Sequence, residues 1–344
     1  MNLKQIFGNT LKISLPLLLG IALLWYLYHK SNIGEIVTII KTRVDYKILF
    51  SSLIFGLGAN IIRAFRWAML IDSLGKPVGK MNVIYAILGN YAINVAVPFR
   101  AGDIWRCGVT NRYEKVPFAK LLGTLFVDRF SDTLMVAILT LSLFLFNISF
   151  FNQFFSENPP LVVNTLYNIF SSVWTGVGLL AVIVLIRILF TKFKHLIVIQ
   201  KAKVLIFNVW EGIRSILKIK RRSLFLLQTL LIWSGYFLYF YISFYAFGFT
   251  KDLGIRIGLI AFVMSSLGVA VPVQGGIGVW HFMVISTLVT FGVNKTDAGA
   301  FAFVVFAVQS MWVILTGLFG IIALPLINKK CESANTLNIQ NKTK

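Results

Sequence analysis

Cysteine is almost missing from this chain of 344 residues, which holds only Cys107 and Cys331. Two thiols make no disulfide framework, and no Cys/His spacing typical of a metal site can be drawn through them. The sequence also has no glycine-rich nucleotide-binding loop. We therefore expect neither a metal nor a cofactor.

Acidic residues are scarce as well. Asp and Glu number 12 against 33 Lys and Arg, which gives a net charge of +21. A nucleic-acid-binding protein would combine such a charge with aromatic residues on a soluble face, whereas these basic residues lie between long apolar runs. Anionic membrane lipid is therefore the expected partner, and nucleic acid is not.

Long polar segments are missing too. Charged residues make up 13% of the chain and hydrophobic residues 58%, where soluble domains have about 45–50% apolar residues. With a mean hydropathy of +0.81, this composition predicts an all-α integral membrane protein. Apolar runs close to the roughly 20 residues that cross a bilayer occupy 13–28, 48–62, 134–148, 172–190, 223–247 and 300–327.

The chain carries an internal repeat. NVAVPFRAGDIW at 94–105 matches GVAVPVQGGIGV at 268–279, and we call the spacing from Pro98 to Pro272 the repeat offset. The same offset places the neighbouring apolar segments on one another. A period close to half the chain predicts a transmembrane domain over 1–327, built from two similar halves of about 1–160 and 161–327.

Loop charges predict the orientation, because short cytoplasmic loops hold the excess of Lys and Arg. The segment 191–222 has nine basic residues against Glu211 alone, whereas 148–171 has only Glu157. We assign the first to the cytoplasm and the second to the outside. Both termini are then cytoplasmic, and the polar tail 328–344 is expected to be disordered.

Two apolar segments are expected to enter the membrane and return to the same side. The arm 101–114 is too charged to cross, so it forms a re-entrant hairpin with 82–98 from the cytoplasmic side. The matching hairpin, 256–272 with 276–291, enters from the outer face. The sequence thus predicts an inverted repeat with six full crossings and two re-entrant hairpins. The loop 29–47 is an exception, since it is assigned outside with four basic residues against two acidic ones.

The two hairpin tips are the candidate lipid site. Irregular backbone inside the membrane is tolerated only where it is buried in protein or lines a water-filled cavity. Pro98 and Pro272 predict helix breaks at such places. Amide groups at the start of the second arm, with arginine nearby, suit a phosphate or carboxylate headgroup. The candidate headgroup-binding residues are Arg100, Gly102, Asp103, Arg106, Gly275, Gly276 and Gly278. Snorkelling of Arg100 and Arg106 to cytoplasmic headgroups is the alternative.

The motif VDRFSD supplies a second cluster of charge. Asp128 and Asp132 are four residues apart and share a helix face, while Arg129 points elsewhere. Ionisable groups inside a membrane usually face a cavity or a partner. The aspartates could therefore gate a lipid path, or form a static buried pair with Arg63 or Arg66. For Arg63 and Arg66, ordinary positive-inside anchoring is the favoured interpretation.

The motifs NYAINVAVPFRAGDIWRCGVTNR, LFVDRFSDTLMVAIL and VPVQGGIGVWHF resemble those of the lysylphosphatidylglycerol synthase transmembrane-region family, a flippase-like family. The similarity extends from the first apolar run to about Leu326. It implies a multi-span inner-membrane protein, and the family's patterned positions fall on Pro98, Arg100, Gly102, Arg106, Asp128, Arg129, Asp132, Pro272, Gly275, Gly276 and Gly278. Three positions depart from the family pattern: Asp103 and His281 stand where Glu is usual, and Gln274 stands where a second Pro is common.

We therefore expect a lipid translocase that moves an anionic phospholipid or lipid-linked headgroup between leaflets. One alternative is a non-transporting partner of a lipid-modifying enzyme. The other is an integral-membrane lipid transferase of the synthase type, which is disfavoured because lysyl transfer needs a soluble domain to bind aminoacyl-tRNA. The chain is accordingly expected not to be an enzyme.

Overall fold

The structure is a computed structural model, and it describes residues 22, 24–29, 33–97, 100–157, 207, 210, 214, 219, 221–271 and 273–342. Two of the six predicted crossings, 172–190 and most of 13–28, lie outside these residues. So do both of the predicted helix-breaking prolines, Pro98 and Pro272.

The described residues form helices and no strands. The helices are α1 (Ile33–Thr42), α2 (Tyr46–Asp72), α3 (Lys80–Ala96), α4 (Ala101–Glu114), α5 (Phe118–Phe146), α6 (Ile148–Glu157), α7 (Arg222–Tyr241), α8 (Gly254–Ala270), α9 (Val279–Thr290) and α10 (Lys295–Lys342). Short 3₁₀ turns follow α7 at Ile242–Ala246 and precede α9 at Gln274–Gly276.

Four of the described helices are long and apolar enough to cross a membrane: Tyr46–Asp72, Phe118–Phe146, Arg222–Ala246 and Lys295–Lys329. Each of them overlaps one of the four predicted apolar runs that fall within the described residues, 48–62, 134–148, 223–247 and 300–327. α3 and α4, at 17 and 14 residues, are shorter than the roughly 20 residues that a full crossing needs.

Local sequence explains several helix ends. Asp45 caps α2, because its Oδ1 accepts from the amides of Lys47 (2.9 Å) and Ile48 (3.3 Å). Pro117 lies at the N-cap of α5, where its missing N–H costs no helical hydrogen bond. α10 continues to Lys342, so the disorder predicted for the polar tail is wrong over 328–342, where the backbone is helical.

The helix bounds repeat along the chain. The repeat offset carries both ends of α3, Lys80 and Ala96, onto both ends of α8, Gly254 and Ala270. It also carries Asp72, where α2 ends, onto the last residue of the 3₁₀ turn that continues α7. Equal helix lengths at this offset agree with the register read from the sequence.

The hairpin α3–α4 has both of its outer ends where α2 ends, which we call the Asp72 end. The amide of Gly79, just before α3, donates to Oε2 of Glu114 at the end of α4 (3.0 Å). α10 reaches the same end, since Asn328 Nδ2 donates to Oδ1 of Asn82 (2.9 Å).

The hairpin α8–α9 has both of its outer ends where α2 begins, which we call the Tyr46 end. The carbonyl of Ala246, shortly before α8, accepts from the amide of Asp45 (2.8 Å). α9 leads into the start of α10, where Asp297 lies 3.9 Å from Arg43. The two hairpins therefore extend toward each other from opposite ends of the molecule.

Small residues let the long helices pack closely. A Cβ on Gly56 of α2 would lie 2.9 Å from the ring of Tyr239 of α7, and one on Gly235 would lie 3.0 Å from Ala59 Cβ. α10 approaches α3 in the same way, because a Cβ on Gly317 would lie 2.3 Å from Ala92 Cβ. Close backbone approach at small residues is how membrane helices gain packing energy in the absence of a hydrophobic drive between them.

Candidate functional site

The tip of the first hairpin is held by polar contacts within the hairpin. The amide of Gly102 donates to Oδ1 of Asn94 (2.9 Å), so the amide that was expected to face a headgroup already has a partner. A Cβ on Gly102 would lie 2.1 Å from the carbonyl oxygen of Asn90. Glycine is therefore needed here because the two arms touch.

Arg100 stands at this tip. Its backbone is left-handed, with φ 53° and ψ 42°, and it forms the N-cap of α4. Its side chain is exposed and makes no hydrogen bond or ion pair within the described ranges. Its exposed guanidinium at the hairpin tip can be reached by an incoming anion.

The tip of the second hairpin is built from glycines with positive φ: Gly275 (58°), Gly276 (75°) and Gly278 (84°). Side chains rarely adopt this backbone, which is why glycine occupies these positions. The two tips touch each other, since Gln274 Nε2 donates to the carbonyl of Ala96. A Cβ on Gly275 would lie 3.5 Å from the carbonyl oxygen of Val95.

Beside the first tip, Asp128 of α5 is completely buried and shared by three arginines. Arg66 NH2 lies 2.6 Å from Oδ1, and Arg106 NH2 lies 2.9 Å from Oδ2. Arg63 NH1 lies 3.8 Å from the same Oδ2. The buried carboxylate thereby joins α2, α4 and α5.

A second layer of charge is closer to the surface. Asp132 contacts Arg63 and also Arg66 NH2 (2.8 Å), and its side chain is 14% exposed. Arg129 binds Asp103 through two hydrogen bonds, and these side chains are 20% and 10% exposed. Accessibility therefore rises from Asp128 toward the Arg129–Asp103 pair.

The cluster carries an excess of positive charge. Within the described residues it contains four guanidinium groups and three carboxylates, those of Arg63, Arg66, Arg106, Arg129, Asp103, Asp128 and Asp132. Buried N–H groups of Arg66 (Nε) and Arg106 (Nε and NH1) have no hydrogen-bond partner in the part of the chain that the structure describes. Surplus positive charge with unused donors is chemistry that suits an anion.

Aromatic and polar side chains support the arginines, and sequence reasoning missed them. The Arg106 guanidinium lies 4.5 Å from the ring of Trp67, and Trp67 Nε1 donates to Thr124 Oγ1 (3.1 Å). Tyr236 accepts from Arg63 Nε (3.2 Å) and donates to Asn60 Oδ1 (2.7 Å). The signal that could have found Asn60 and Thr124 is a polar residue inside an apolar helix on the face of a neighbouring charge.

The equivalent positions in the second half are apolar. The repeat offset takes Arg63, Arg66, Arg106 and Asp132 to Phe237, Phe240, Trp280 and Phe306. The rings of Trp280 and Phe306 are 5.2 Å apart, and those of Phe240 and Trp280 are 6.2 Å apart. Aromatic packing thus fills the place that ion pairs fill in the first half.

The burial of several predicted site residues restricts the roles that they can have. Arg63 and Arg66 are 2% and 0% exposed, so the interpretation that they anchor the protein to headgroups is wrong. Arg106 is fully buried as well, which excludes snorkelling, and direct contact with a headgroup would require its pair with Asp128 to open.

His281 is 2% exposed and packs against the ring of Phe306, 4.6 Å away. No three His, Cys, Asp or Glu side chains in the described part of the chain are arranged to hold a metal ion.

Comparison with known proteins gives one family. The family model described as the lysylphosphatidylglycerol synthase TM region matches residues 13–317. A search of curated proteins and a search of solved structures each found no significant match.

Proposed function

Because the chain belongs to the lysylphosphatidylglycerol synthase transmembrane-region family and is a multi-pass membrane protein, we propose that it moves an anionic phospholipid or lipid-linked headgroup between the leaflets of the cytoplasmic membrane. The path would pass the point where the two hairpin tips touch. The observation that carries this proposal is the exposed side chain of Arg100 at that point, which makes no hydrogen bond or close ion pair among the described residues, beside a buried cluster with surplus positive charge.

The proposed architecture is an inverted repeat with two re-entrant hairpins. Hairpins that start at opposite ends and touch at their tips are the recurring plan of transporters, in which broken helices meet at the substrate site. The matching bounds of α3 and α8 at the repeat offset support this arrangement. The Asp72 end would face the cytoplasm, together with both chain termini.

Arg100 would make the first contact with a headgroup. The phosphate would then compete with Asp103 and Asp132 for Arg129, because that layer is the most accessible part of the charged cluster. Arginine suits this exchange, since its forked donors match a phosphate as well as a carboxylate. Asp128 and its three arginines would stay closed and position the layer above them.

Passage would require the contact between Gln274 and Ala96 to open. The glycines at the second tip would leave backbone amides and free space on the far side, without arginine. A headgroup would bind more weakly there, so lipid would load at the arginine side and be released at the glycine side.

The test is leaflet exchange in liposomes. The purified protein is reconstituted with phosphatidylglycerol carrying a fluorescent acyl chain, and protection from a membrane-impermeant quencher is followed over time. Wild type should exchange the lipid, and Arg100→Ala should abolish the exchange with an unchanged melting temperature because Arg100 makes no bond in the described structure. Exchange by Arg100→Ala at the wild-type rate would refute the assignment of Arg100.

The second tip offers a matched pair of variants. Gly276→Val should stop exchange while phosphatidylglycerol still binds, because a side chain would fill the tip. Gly292→Val is the control, since Gly292 also has positive φ (85°) but lies in the turn after α9 with nothing within 4 Å of a Cβ. If wild type exchanges no anionic lipid at all, the translocase proposal is wrong and a non-transporting partner of a lipid-modifying enzyme takes its place.

A further inference from the structure

A second basic site lies at the Tyr46 end, far along α2 from the charged cluster. A cavity of about 630 Å³ opens there between the start of α2 and the segment after α7. Its lining includes three cations, Arg43, Lys47 and Lys251, and one carboxylate, Asp45. The cavity is an open groove at the surface rather than an enclosed space, so a bound molecule would stay in contact with its surroundings.

Two acidic side chains at this cavity, Asp45 and Asp297, have partners of their own. Asp45 caps α2 through the amides of Lys47 and Ile48. Asp297 lies 3.9 Å from Arg43, whose side chain remains 63% exposed. Lys47 and Lys251 are exposed and have no ion pair among the described residues. The residues that line the cavity therefore carry three positive charges against one negative charge, while Asp297 and the exposed Asp252, next to Lys251, lie outside this lining.

An apolar stripe continues from the cavity along the membrane-spanning helix. Tyr46, Phe50 and Ile54 are four residues apart and share one face of α2, and they are 37%, 54% and 70% exposed. On the other wall, Tyr245 is 48% exposed and its hydroxyl lies 3.1 Å from that of Tyr241. Tyrosine is favoured at the membrane interface, where its ring is in lipid and its hydroxyl meets water.

We infer that this cavity binds the headgroup of an anionic phospholipid whose acyl chains lie along Phe50 and Ile54. The cations supply the attraction for the phosphate, because basic pockets between membrane helices bind acidic headgroups. The apolar stripe on α2 favours a lipid over free phosphate, because acyl chains can cover it and a phosphate ion cannot. The site also gives a role to two of the four basic residues of the loop 29–47, Arg43 and Lys47, although the charge rule assigns this loop to the outer face. Nothing in this inference requires lipid to cross the membrane.

The experiment uses the full-length protein in phosphatidylcholine nanodiscs that contain a small fraction of phosphatidylglycerol with a photoreactive group near its headgroup. After illumination, peptide mapping should find adducts on residues 42–50 and 245–251. Lys47→Gln and Lys251→Gln should each weaken apparent binding about fivefold, the effect of one basic residue near an anionic lipid. Lys47→Arg and Lys251→Arg should retain binding, because they keep the charge.

Lys41→Gln is the matched control, because Lys41 lies in the last turn of α1 at the same end but does not line the cavity. It should leave adduct formation closer to wild type than either cavity substitution does, because its charge does not line the groove that holds the headgroup. Equal adduct yields from wild type and the Lys47→Gln/Lys251→Gln double variant, with both folded by melting temperature, would overturn the inference. So would an equal yield with photoreactive phosphatidylcholine, or competition by soluble glycerol phosphate as effective as that by the lipid.

Discussion

Arg106 and Asp128 form an ion pair of 2.9 Å in which neither side chain has any exposed surface. The repeat offset carries these two positions onto Trp280 and Ala302, where the hairpin packs through aromatic rings instead. In the second half, apolar side chains therefore occupy the positions that the ion pair occupies in the first half. Since buried ion pairs are often no more stabilising than apolar packing, the charge in the first half points to specificity or function rather than to stability alone.

Replacing Asp128 should nevertheless be costly. Asp128→Ala leaves three arginines around an empty position, and we expect a loss of about 3–5 kcal/mol in unfolding free energy. The measurement is thermal unfolding in detergent. Asp297→Ala is the control, because its pair with the exposed Arg43 spans 3.9 Å and should contribute less than about 1 kcal/mol. Equal melting temperatures for the two variants would contradict the role given to the buried cluster.

Alanine substitution at two glycines of α4, Gly102 and Gly108, should change stability in opposite directions. Gly102→Ala places a Cβ 2.1 Å from the carbonyl oxygen of Asn90, so the hairpin arms must part and we expect a loss of about 1–3 kcal/mol or more. Gly108→Ala meets nothing within 4 Å and should gain up to about 1 kcal/mol from alanine's higher helix propensity. Denaturation of the two variants side by side tests the sign of each effect.

Arg100 and Lys115 are the two non-glycine residues with positive φ in the described chain, at 53° and 54°. Replacing either by glycine should raise stability by at most about 1 kcal/mol, because the backbone strain is relieved while the unfolded chain gains freedom. Only Arg100→Gly should lose lipid exchange. If Lys115→Gly loses exchange to the same extent, net charge rather than the position of Arg100 controls movement.

The proposed topology predicts which loops are reached from each side. Single cysteines at Lys76, between α2 and α3, and at Asp252, between α7 and α8, are introduced after replacing Cys107 and Cys331 with alanine. An impermeant maleimide added to intact cells should label the Asp252 position, and the Lys76 position should react only after the membrane is opened. Labelling of both from outside would rule out hairpins that enter from opposite faces.

Sequence periodicity located much of the charged cluster in advance. The four-residue spacing of Asp128 and Asp132 predicted a shared helix face, and both carboxylates bind Arg66. It did not reveal that Arg106 joins them, because Arg106 belongs to a different helix, α4, and meets Asp128 only across the helix interface. Hydrogen-bond partners of this kind depend on how helices pack, and no local pattern encodes that packing.

The sequence by itself determined the class of the molecule. Apolar runs of membrane-spanning length can exist only as helices in lipid, since every backbone group must then be bonded internally, and the internal repeat specified the register of the helices. Only the tertiary structure decided which charges are available. Arg100 and Arg106 belong to one motif and look alike in sequence, yet packing of α4 against α5 buries Arg106 on Asp128 while Arg100 remains exposed at the tip. Desolvation and pairing depend on neighbours from other helices, and those neighbours meet only when the helices pack.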